Sequence, residues 1–476
     1  MKTKQEIQKQ LEHLFEKWSD ENVVKIIPIA LSGSNRKYYR IQGSTKKAVG
    51  VFNDNKQENH AFFSFTNTFI KAGLAVPELY SFDKDKTTYL LQDLGDQTLF
   101  DLLLNNKKEH LTEILKHYKN ALRELIRFQI LGKKQINFND CYPCNMMDKQ
   151  SFLWDLNYFK YYFLKPQNIN FDEQKLEDDF HQLTEILQEA DHTYFLFRDF
   201  QARNIMIYED KVFFIDYQGG RKGALQYDLA SLLYQVKANL SSKDRKELLA
   251  YYCDELELST GIAKQDFIKH FYPYVFIRLI QVMGAYGFRG LIEKKSHFIE
   301  SIPFAITTLK NLIPSFYFLD KLPELHYCIR QIVERKKEKK KSEYLKIEIK
   351  SFAYKAGIPK DDSGHGEGFV FDCRALPNPG SLKEYKQMSG LDNEVIIYLK
   401  KYPEVNSFLD MVYNIVSQSI DNYIERSFTN LNINFGCTGG QHRSVYCAES
   451  LKNYLTKNYQ LNIKLEHTQK LNWKNP

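Results

Sequence analysis

Apolar positions in the first twenty residues fall at helical spacing. Leu11, Leu14, Phe15 and Trp18 line one face of a charged segment, which predicts an amphipathic helix packed on a domain. The period then shortens. Val23 to Leu31, Tyr38-Tyr39-Arg40-Ile41 and Ala48-Val49-Gly50-Val51-Phe52 read as strands, separated by turns at Ser32-Gly33-Ser34-Asn35 and Gly43. A helix carrying Glu58, His60, Phe62 and Phe63 follows. After Val76-Pro77-Glu78-Leu79 comes a strand, Thr88-Tyr89-Leu90-Leu91, that runs into Gln92-Asp93-Leu94-Gly95. This stretch predicts a small antiparallel sheet. From about 108 to 330 long amphipathic patterns take over, as in Leu111, Leu115, Tyr118, Leu122, Leu125 and Ile126, and predict a mostly helical half. A sheet lobe followed by a helical lobe leaves a cleft between them, where ligands usually sit.

The pattern breaks near 334 to 343. Arg335-Lys336-Lys337-Glu338-Lys339-Lys340-Lys341 sets six basic residues against one acidic residue, a composition that suits a solvated linker and also attracts polyanions. A fresh alternation begins at Leu345-Lys346-Ile347-Glu348-Ile349-Lys350-Ser351-Phe352. Further on, Leu431-Asn432-Ile433-Asn434-Phe435 leads into Gly436-Cys437-Thr438-Gly439-Gly440-Gln441-His442-Arg443-Ser444, and a helix runs from Val445 to about Tyr454. Strand, glycine turn and helix start form an anion cradle, because free backbone N–H groups and the positive helix end point at one spot. Arg443 adds a bidentate donor there, and Thr438, Ser444 and His442 add others. The predicted domains are 1–330, a basic linker at 331–345, and 346–476, in an α/β (α+β) class.

Composition fits this division. At 476 residues the chain exceeds what one core supports, and 34 Phe and 31 Tyr argue for filled cores rather than disorder. The net charge of +7 is modest and unevenly spread. Seven cysteines are scattered; Cys141-Tyr142-Pro143-Cys144 has redox-motif spacing but neither a second pair nor a thioredoxin-like context, so it reads as structural, with thiols reduced. No secretory signal is seen, and no apolar stretch approaches the length that spans a bilayer. A cytosolic (cytoplasmic) protein without membrane contact is expected.

Candidate chemistry centres on Phe197-Arg198-Asp199-Phe200-Gln201-Ala202-Arg203-Asn204 and on Val212-Phe213-Phe214-Ile215-Asp216. A phosphoryl-transfer site needs one carboxylate to orient the attacking hydroxyl, and an amide and a carboxylate to hold Mg²⁺ on the phosphates. Asp199, Asn204 and Asp216 supply that set, if the hairpin between the last two folds Asp216 back toward Asn204. On their own, Asp-x-x-x-x-Asn is a common loop composition and Asp216 can simply end a strand.

With Tyr227-Asp228-Leu229-Ala230, these residues resemble the aminoglycoside phosphotransferase and choline kinase family over residues about 20 to 320. Within it, the chain is most similar to cell-wall amino-sugar kinases that phosphorylate N-acetylmuramate or N-acetylglucosamine at the anomeric hydroxyl. The resemblance implies a two-lobed protein-kinase-like fold that binds ATP and Mg²⁺. Asp199 would be the catalytic base, Asn204 and Asp216 the metal ligands, and Arg198 and Asp228 the anchors of the catalytic loop. Ser32, Gly33, Ser34, Lys47, Gln92, Asp93 and Leu94 would bind the nucleotide. Two positions depart from the family. Phe197 stands where the loop commonly opens with His, a position that packs structurally. Ala48 to Asn53 lacks the phosphate-pairing lysine, so Lys47, Lys37, Arg36 or Arg40 would have to neutralise the phosphates. An active kinase and a nucleotide-binding pseudokinase both stand at this point. Trp154, Tyr158, Tyr161 and Tyr162, with Asp155 and Asn157, read either as a sugar pocket or as a core stripe.

A second resemblance covers 346 to 470. Ser351-Phe352, Lys355, Gly357-Ile358-Pro359, Phe369-Val370-Phe371-Asp372-Cys373-Arg374, Leu376-Pro377-Asn378-Pro379, Ser389-Gly390-Leu391-Asp392 and Gly436 through Tyr446 are similar to the C-terminal domain of the RNase adapter RapZ. That likeness implies recognition of a hexosamine phosphate, glucosamine-6-phosphate, and of a small regulatory RNA. Asp372, Arg374, Thr438, Gly439, His442 and Arg443 would line the sugar-phosphate pocket, with Cys437, Gly440 and Ser444 completing the cradle. The nucleotide-binding loop Gly-x-x-x-x-Gly-Lys-Ser/Thr does not occur. Ala356 and Gly380 stand where the family often has histidine, and Asp362 to Gly368 is an insertion that brings His365. Lys464, His467, Lys470 and Lys474 make a sparse basic tail, which predicts weak or absent RNA binding. Cys437 and Arg443 also have the spacing of cysteine-dependent phosphatases. The joint expectation is an amino-sugar kinase fused to a hexosamine-phosphate sensor, with a non-enzymatic regulator and a cysteine phosphatase as the other readings. Oligomeric state is not legible.

Overall fold

The computed structural model describes residues 3–29, 36–105, 111–238, 240–334, 340–360 and 368–473. The predicted turn at Ser32, Gly33 and Ser34, most of the basic run from Arg335, and the insertion with His365 lie outside these residues. The chain divides into two compact units at Glu334/Arg335.

The first unit opens with the helix Lys4–Ser19, started by a capping box between Thr3 and Glu6. Five strands follow: β1 (Lys25–Ile29), β2 (Lys37–Gln42), β3 (Lys47–Phe52), β4 (Leu79–Phe82) and β5 (Thr88–Leu91). They form an antiparallel sheet in the order β1-β2-β3-β5-β4. Pro28 cannot donate to a ladder and sits on edge strand β1. Ile7, Leu11, Leu14 and Phe15 of the first helix pack on Tyr39, Ile41, Ala48 and Leu90 of the sheet. Gly50 permits that approach, since a Cβ there would stand 2.6 Å from Leu11 Cδ2. The helix Lys56–Lys71 follows β3, capped by the Asn55 side chain, which accepts from the Glu58 N–H.

The helical lobe is built on Leu111–Gln135, Lys149–Phe159 and Lys264–Tyr286. The last continues as a π-turn to Ile292, a 29-residue run long and apolar enough to cross a membrane by length and composition. This corrects the expectation that no such stretch exists. Within the unit its apolar side chains, among them Phe271, Val275, Phe276, Ile277 and Ile280, lie in the core. Two short ladders sit in this lobe: β6 (Tyr194–Leu196) with β9 (Arg221–Gly223), and β7 (Ile205–Tyr208) with β8 (Lys211–Phe214).

The second unit is a four-stranded parallel sheet, β11-β12-β10-β13, of β10 (Lys340–Ala353), β11 (Phe369–Asp372), β12 (Asn430–Cys437) and β13 (Tyr459–His467). Leu345, Ile347 and Ile349 are fully buried on the sheet face, with Lys346 exposed between them. The predicted linker at 331–345 is shorter than its composition suggested. The helix Pro323–Glu334 buries Leu325, Cys328, Ile329 and Ile332 through the start of that span, and β10 begins at Lys340, paired with Tyr459. All seven cysteines are free thiols. Cys144 Sγ faces Arg221 Nη1 at 2.7 Å rather than Cys141.

Candidate functional sites

In the first unit, β6 delivers Phe197, Arg198 and Asp199 into a loop that Asp228 fixes from the first turn of the helix Leu225–Leu233. The fully buried Asp228 carboxylate accepts the N–H groups of Phe197 at 2.7 Å and Arg198 at 3.0 Å. Those bonds hold Arg198 at φ 76°, a left-handed conformation uncommon for a residue with a Cβ. Phe197 packs on Phe128, Phe195, Phe200 and Phe214. The position is structural, as its place in the loop suggested.

The β7–β8 hairpin then returns the chain. Ile205 pairs with Phe214, and the Ile215 N–H bonds the Asn204 carbonyl at 3.1 Å. Asn204 Nδ2 donates to the Asp199 carbonyl at 2.9 Å and lies 3.3 Å from Asp216 Oδ2. Asp216, at φ 65°, also accepts from Gln218 Nε2 at 2.7 Å. One amide therefore ties the Asp199 loop to the Asp216 carboxylate through its Nδ2. Among the described residues no group of three or more His, Cys, Asp or Glu is placed to hold a metal. An amide and a carboxylate suit Mg²⁺, which takes one or two protein ligands and completes its shell with phosphate oxygens and water.

Asp199 is about half exposed, and its Oδ1 accepts from Arg278 Nη2 at 3.0 Å. Burial of the surroundings raises the Asp199 carboxyl, but the Arg278, Arg198 and Arg203 guanidinium groups outweigh it and hold the group below its ordinary value. It is ionised at neutral pH. Arg278, nearly buried, also bonds Ser231 Oγ at 3.0 Å and Gln281. Sequence reading missed this residue, although a lone cation in the apolar run Tyr274-Val275-Phe276-Ile277-Arg278-Leu279-Ile280 is a signal in itself. A buried charge must find a partner.

Asp155 is buried and lies 3.5 Å from Arg198, so it braces the loop that carries Asp199. Asn157 bonds within its own helix, to the Leu153 carbonyl. Trp154 and Tyr161 are exposed, which corrects the core-stripe reading for those two. Tyr158 and Tyr162 lie 4.7 Å apart between ring centroids and pack on Phe288 at 6.0 and 4.9 Å in tilted and edge-on arrangements.

Of the predicted nucleotide residues, Lys47 and the segment from Gln92 to Leu94 come to one end of the β3–β5 ladder, where Val49 pairs with Leu91 and the Lys47 charge acts on Asp96. Asp93 is locked by Arg40, with Arg40 Nε to Oδ2 at 2.9 Å and Nη2 to Oδ1 at 3.1 Å, and Leu94 is buried. Gln92 bonds the Glu78 backbone through its own N–H. Lys47 is exposed at the first position of β3, opposite Gln42, and is not brought to the Glu58 end of the strand. Its sequence position on the strand, not its side chain, suggested the role.

In the second unit Ala353 and Cys437 are paired across β10 and β12, and Asp372 and Gly436 across β11 and β12, at the carboxyl ends of three parallel strands. Ligands of parallel sheets bind there. The loop from Thr438 turns at Gly440 (φ 66°), where a Cβ would stand 3.0 Å from the Ala353 nitrogen, and enters the helix Arg443–Asn458. Cys437 Sγ accepts the Gly440 N–H at 3.2 Å and lies 3.1 Å from Ser444 Oγ. Thr438 and Gly439 are exposed at the mouth. Asp372 and Arg374 pair with each other at 2.7 Å, and the Arg374 guanidinium lies 3.9 Å over the Tyr354 ring.

Two expected donors are turned away. Arg443 Nη1 donates to the backbone carbonyls of Arg374 at 2.7 Å and Leu376 at 3.0 Å, so one arm of the buried guanidinium braces the neighbouring turn, while its Nε is buried without a hydrogen-bond partner. Nη1 finds its acceptors on the nearest carbonyls, as buried donors generally do. His442 Nε2 lies 2.8 Å from the Tyr385 carbonyl, and burial lowers its pKa. Gly380 packs on that ring, since a Cβ there would stand 3.1 Å from His442 Cε1.

Comparison with known proteins finds two family models, the phosphotransferase enzyme family over residues 25–263 and the RapZ C-terminal domain over 345–470. A nucleotide-binding protein of Thermotoga sp. strain RQ2 is 41% identical over 111 residues, 23% of this chain and 38% of that protein. One of Marinobacter nauticus is 31% identical over 177 residues, 36% of this chain and 57% of that protein. The chain thus spans 38% to 57% of the length of these curated relatives. Among solved structures, an amicoumacin kinase bound to AMP-PNP, Ca²⁺ and Ami has TM-score 0.47 and 8% identity, covering 64% of this chain and 93% of that one. Choline kinase of Cryptosporidium parvum has TM-score 0.44 and 13% identity, covering 65% and 93%.

Proposed function

The chain belongs to the phosphotransferase enzyme family, and from that premise we propose that it is an ATP-dependent kinase of an amino sugar of the N-acetylmuramate or N-acetylglucosamine type, fused to a unit that binds a hexosamine phosphate. The observation that carries this reading is the Asn204 amide joining the Asp199 loop to the Asp216 carboxylate, beside an ionised and accessible Asp199.

Asp199 orients the acceptor hydroxyl and takes its proton as the sugar oxygen bonds to the γ-phosphorus; the bridging oxygen leaves with ADP. Asn204 Oδ1 and Asp216 are the residues that would hold Mg²⁺, which supplies positive charge on the phosphates. Arg278 fixes the rotamer of Asp199, and Asp228 and Asp155 fix the loop that carries it. Tyr158, Tyr162 and the exposed Trp154 continue from Asp155 along one helix and its π-turn, and offer aromatic faces for a sugar ring. In the second unit the exposed Thr438 and Gly439 and the N–H groups opening the helix Arg443–Asn458 are the anion-binding elements. The commitment of Arg443 to carbonyls favours binding over thiol-dependent hydrolysis.

The test is Mg²⁺-dependent ATP consumption and product phosphorylation with a panel of amino sugars. Turnover with N-acetylmuramate or N-acetylglucosamine, abolished by EDTA and by Asp199→Ala, is expected. No phosphorylation of any amino sugar, choline or aminoglycoside would refute the proposal.

A further inference from the structure

We propose that Arg36, contributed from just ahead of β2, supplies the cation that pairs the nucleotide phosphates, in the place that a lysine on β3 would otherwise take. This rests on the kinase reading above and assigns a residue to it.

The strand β3 has one lysine, Lys47, at the end away from Glu58. Lys37 pairs with Phe52 in the β2–β3 ladder, so one step further Arg36 comes opposite Asn53, the residue that leaves β3. Both reach the same acid. Asn53 Nδ2 donates to Glu58 Oε2 at 2.8 Å, and Arg36 Nη2 lies 3.3 Å from Glu58 Oε1. Glu58 belongs to the first turn of the helix Lys56–Lys71, where the Asn55 cap holds its N–H at 3.1 Å. Helix, β3 and β2 therefore meet at one ion pair, and the cation in it comes from β2.

Arg36 also shares neighbours with Asp216, the proposed metal ligand. Its guanidinium lies 5.8 Å over the Phe62 ring, and Phe62 stacks at 5.2 Å on Tyr217, the residue that follows Asp216. Tyr38 and Tyr89 stand within electrostatic reach of both Arg36 and Asp216. Such a position, almost entirely buried, suits a guanidinium, which stays charged where an ammonium would shed its proton. The competing cations are otherwise engaged: Arg40 binds Asp93, Asp96 and the Gly95 carbonyl, and Lys37 Nζ lies over the Phe52 ring at 5.8 Å.

The experiment measures equilibrium binding of Mg·ATP and of adenosine to the full chain and takes the ratio of the two affinities, because adenosine reports an intact cleft without phosphates. Arg36→Met is expected to lower that ratio by about tenfold or more, as loss of a charge-assisted phosphate contact requires. Arg36→Lys should recover most of it, and Lys47→Met should match the wild type. Where Arg36→Met binds neither ligand because it does not fold, Arg36→Gln, which keeps a hydrogen bond to Glu58, gives the same readout. An unchanged ratio in the folded Met or Gln variant overturns the assignment while leaving the kinase reading intact. A wild-type chain that binds neither ligand overturns both.

Discussion

Arg278 and Asp199 stand 79 residues apart in the chain and meet at 3.0 Å between Nη2 and Oδ1. The guanidinium is nearly buried and holds a carboxylate that is about half exposed, so one partner is fixed in the helical lobe and the other is open to solvent. In the proposed function, where Asp199 is the general base, a carboxylate held this way loses little freedom on binding its acceptor. Replacement of Arg278 by Leu is expected to lower kcat by about 10- to 100-fold while the KM for ATP changes by less than about threefold, because the nucleotide ligands are elsewhere. A steady-state kcat and KM comparison checks this; a rise in KM alone would assign Arg278 to nucleotide binding.

Asp228 predicts a pH dependence. Burial pushes its carboxyl from 3.8 up to about 7, against the two backbone N–H bonds that favour the ionised form. The folded chain therefore keeps this proton to higher pH than the unfolded chain. The group's contribution to stability is fully present below about pH 4 and is lost as pH rises through about 7. The Tm of the wild type minus that of Asp228→Asn should fall steadily between about pH 4 and pH 8. A difference that is flat or rises with pH would contradict the assignment.

Gly50 tests the docking of the first helix on the sheet. In Gly50→Val, side-chain atoms meet Leu11 well inside contact distance, and the cost of overpacking is about 1–3 kcal/mol, read from urea unfolding of the full chain. Leu11→Ala in the same chain should return part of that loss; no recovery would mean the strain is relieved elsewhere.

Arg443 separates bracing from ligand binding in the second unit. Arg443→Met strands two backbone carbonyls, of Arg374 and Leu376, and should destabilise that unit by about 1–3 kcal/mol without any ligand present. Full stability combined with lost glucosamine-6-phosphate binding, measured by calorimetry, would show instead that the guanidinium serves the ligand directly.

What the sequence determined by itself is local. The approach of Asn204 to Asp216 was legible because a hairpin of two four-residue strands joins them, with Ile205 opposite Phe214, and the five-residue spacing lets the same amide reach the Asp199 backbone carbonyl. The cradle from Gly436 to Ser444 was legible for the same reason, as strand, turn and helix start are consecutive. Tertiary packing decided the rest. The lie of the helix Lys264–Tyr286 across the lobe brought Arg278 to Asp199, and the β2–β3 register brought Arg36 rather than Lys47 to Glu58. Packing also spent Arg443 on carbonyls that sequence spacing had left to a phosphate. A long cationic side chain reaches several partners from one position on the backbone. Which of them it takes depends on the acceptors that distant segments bury beside it, since inside the protein each donor must be satisfied where it stands.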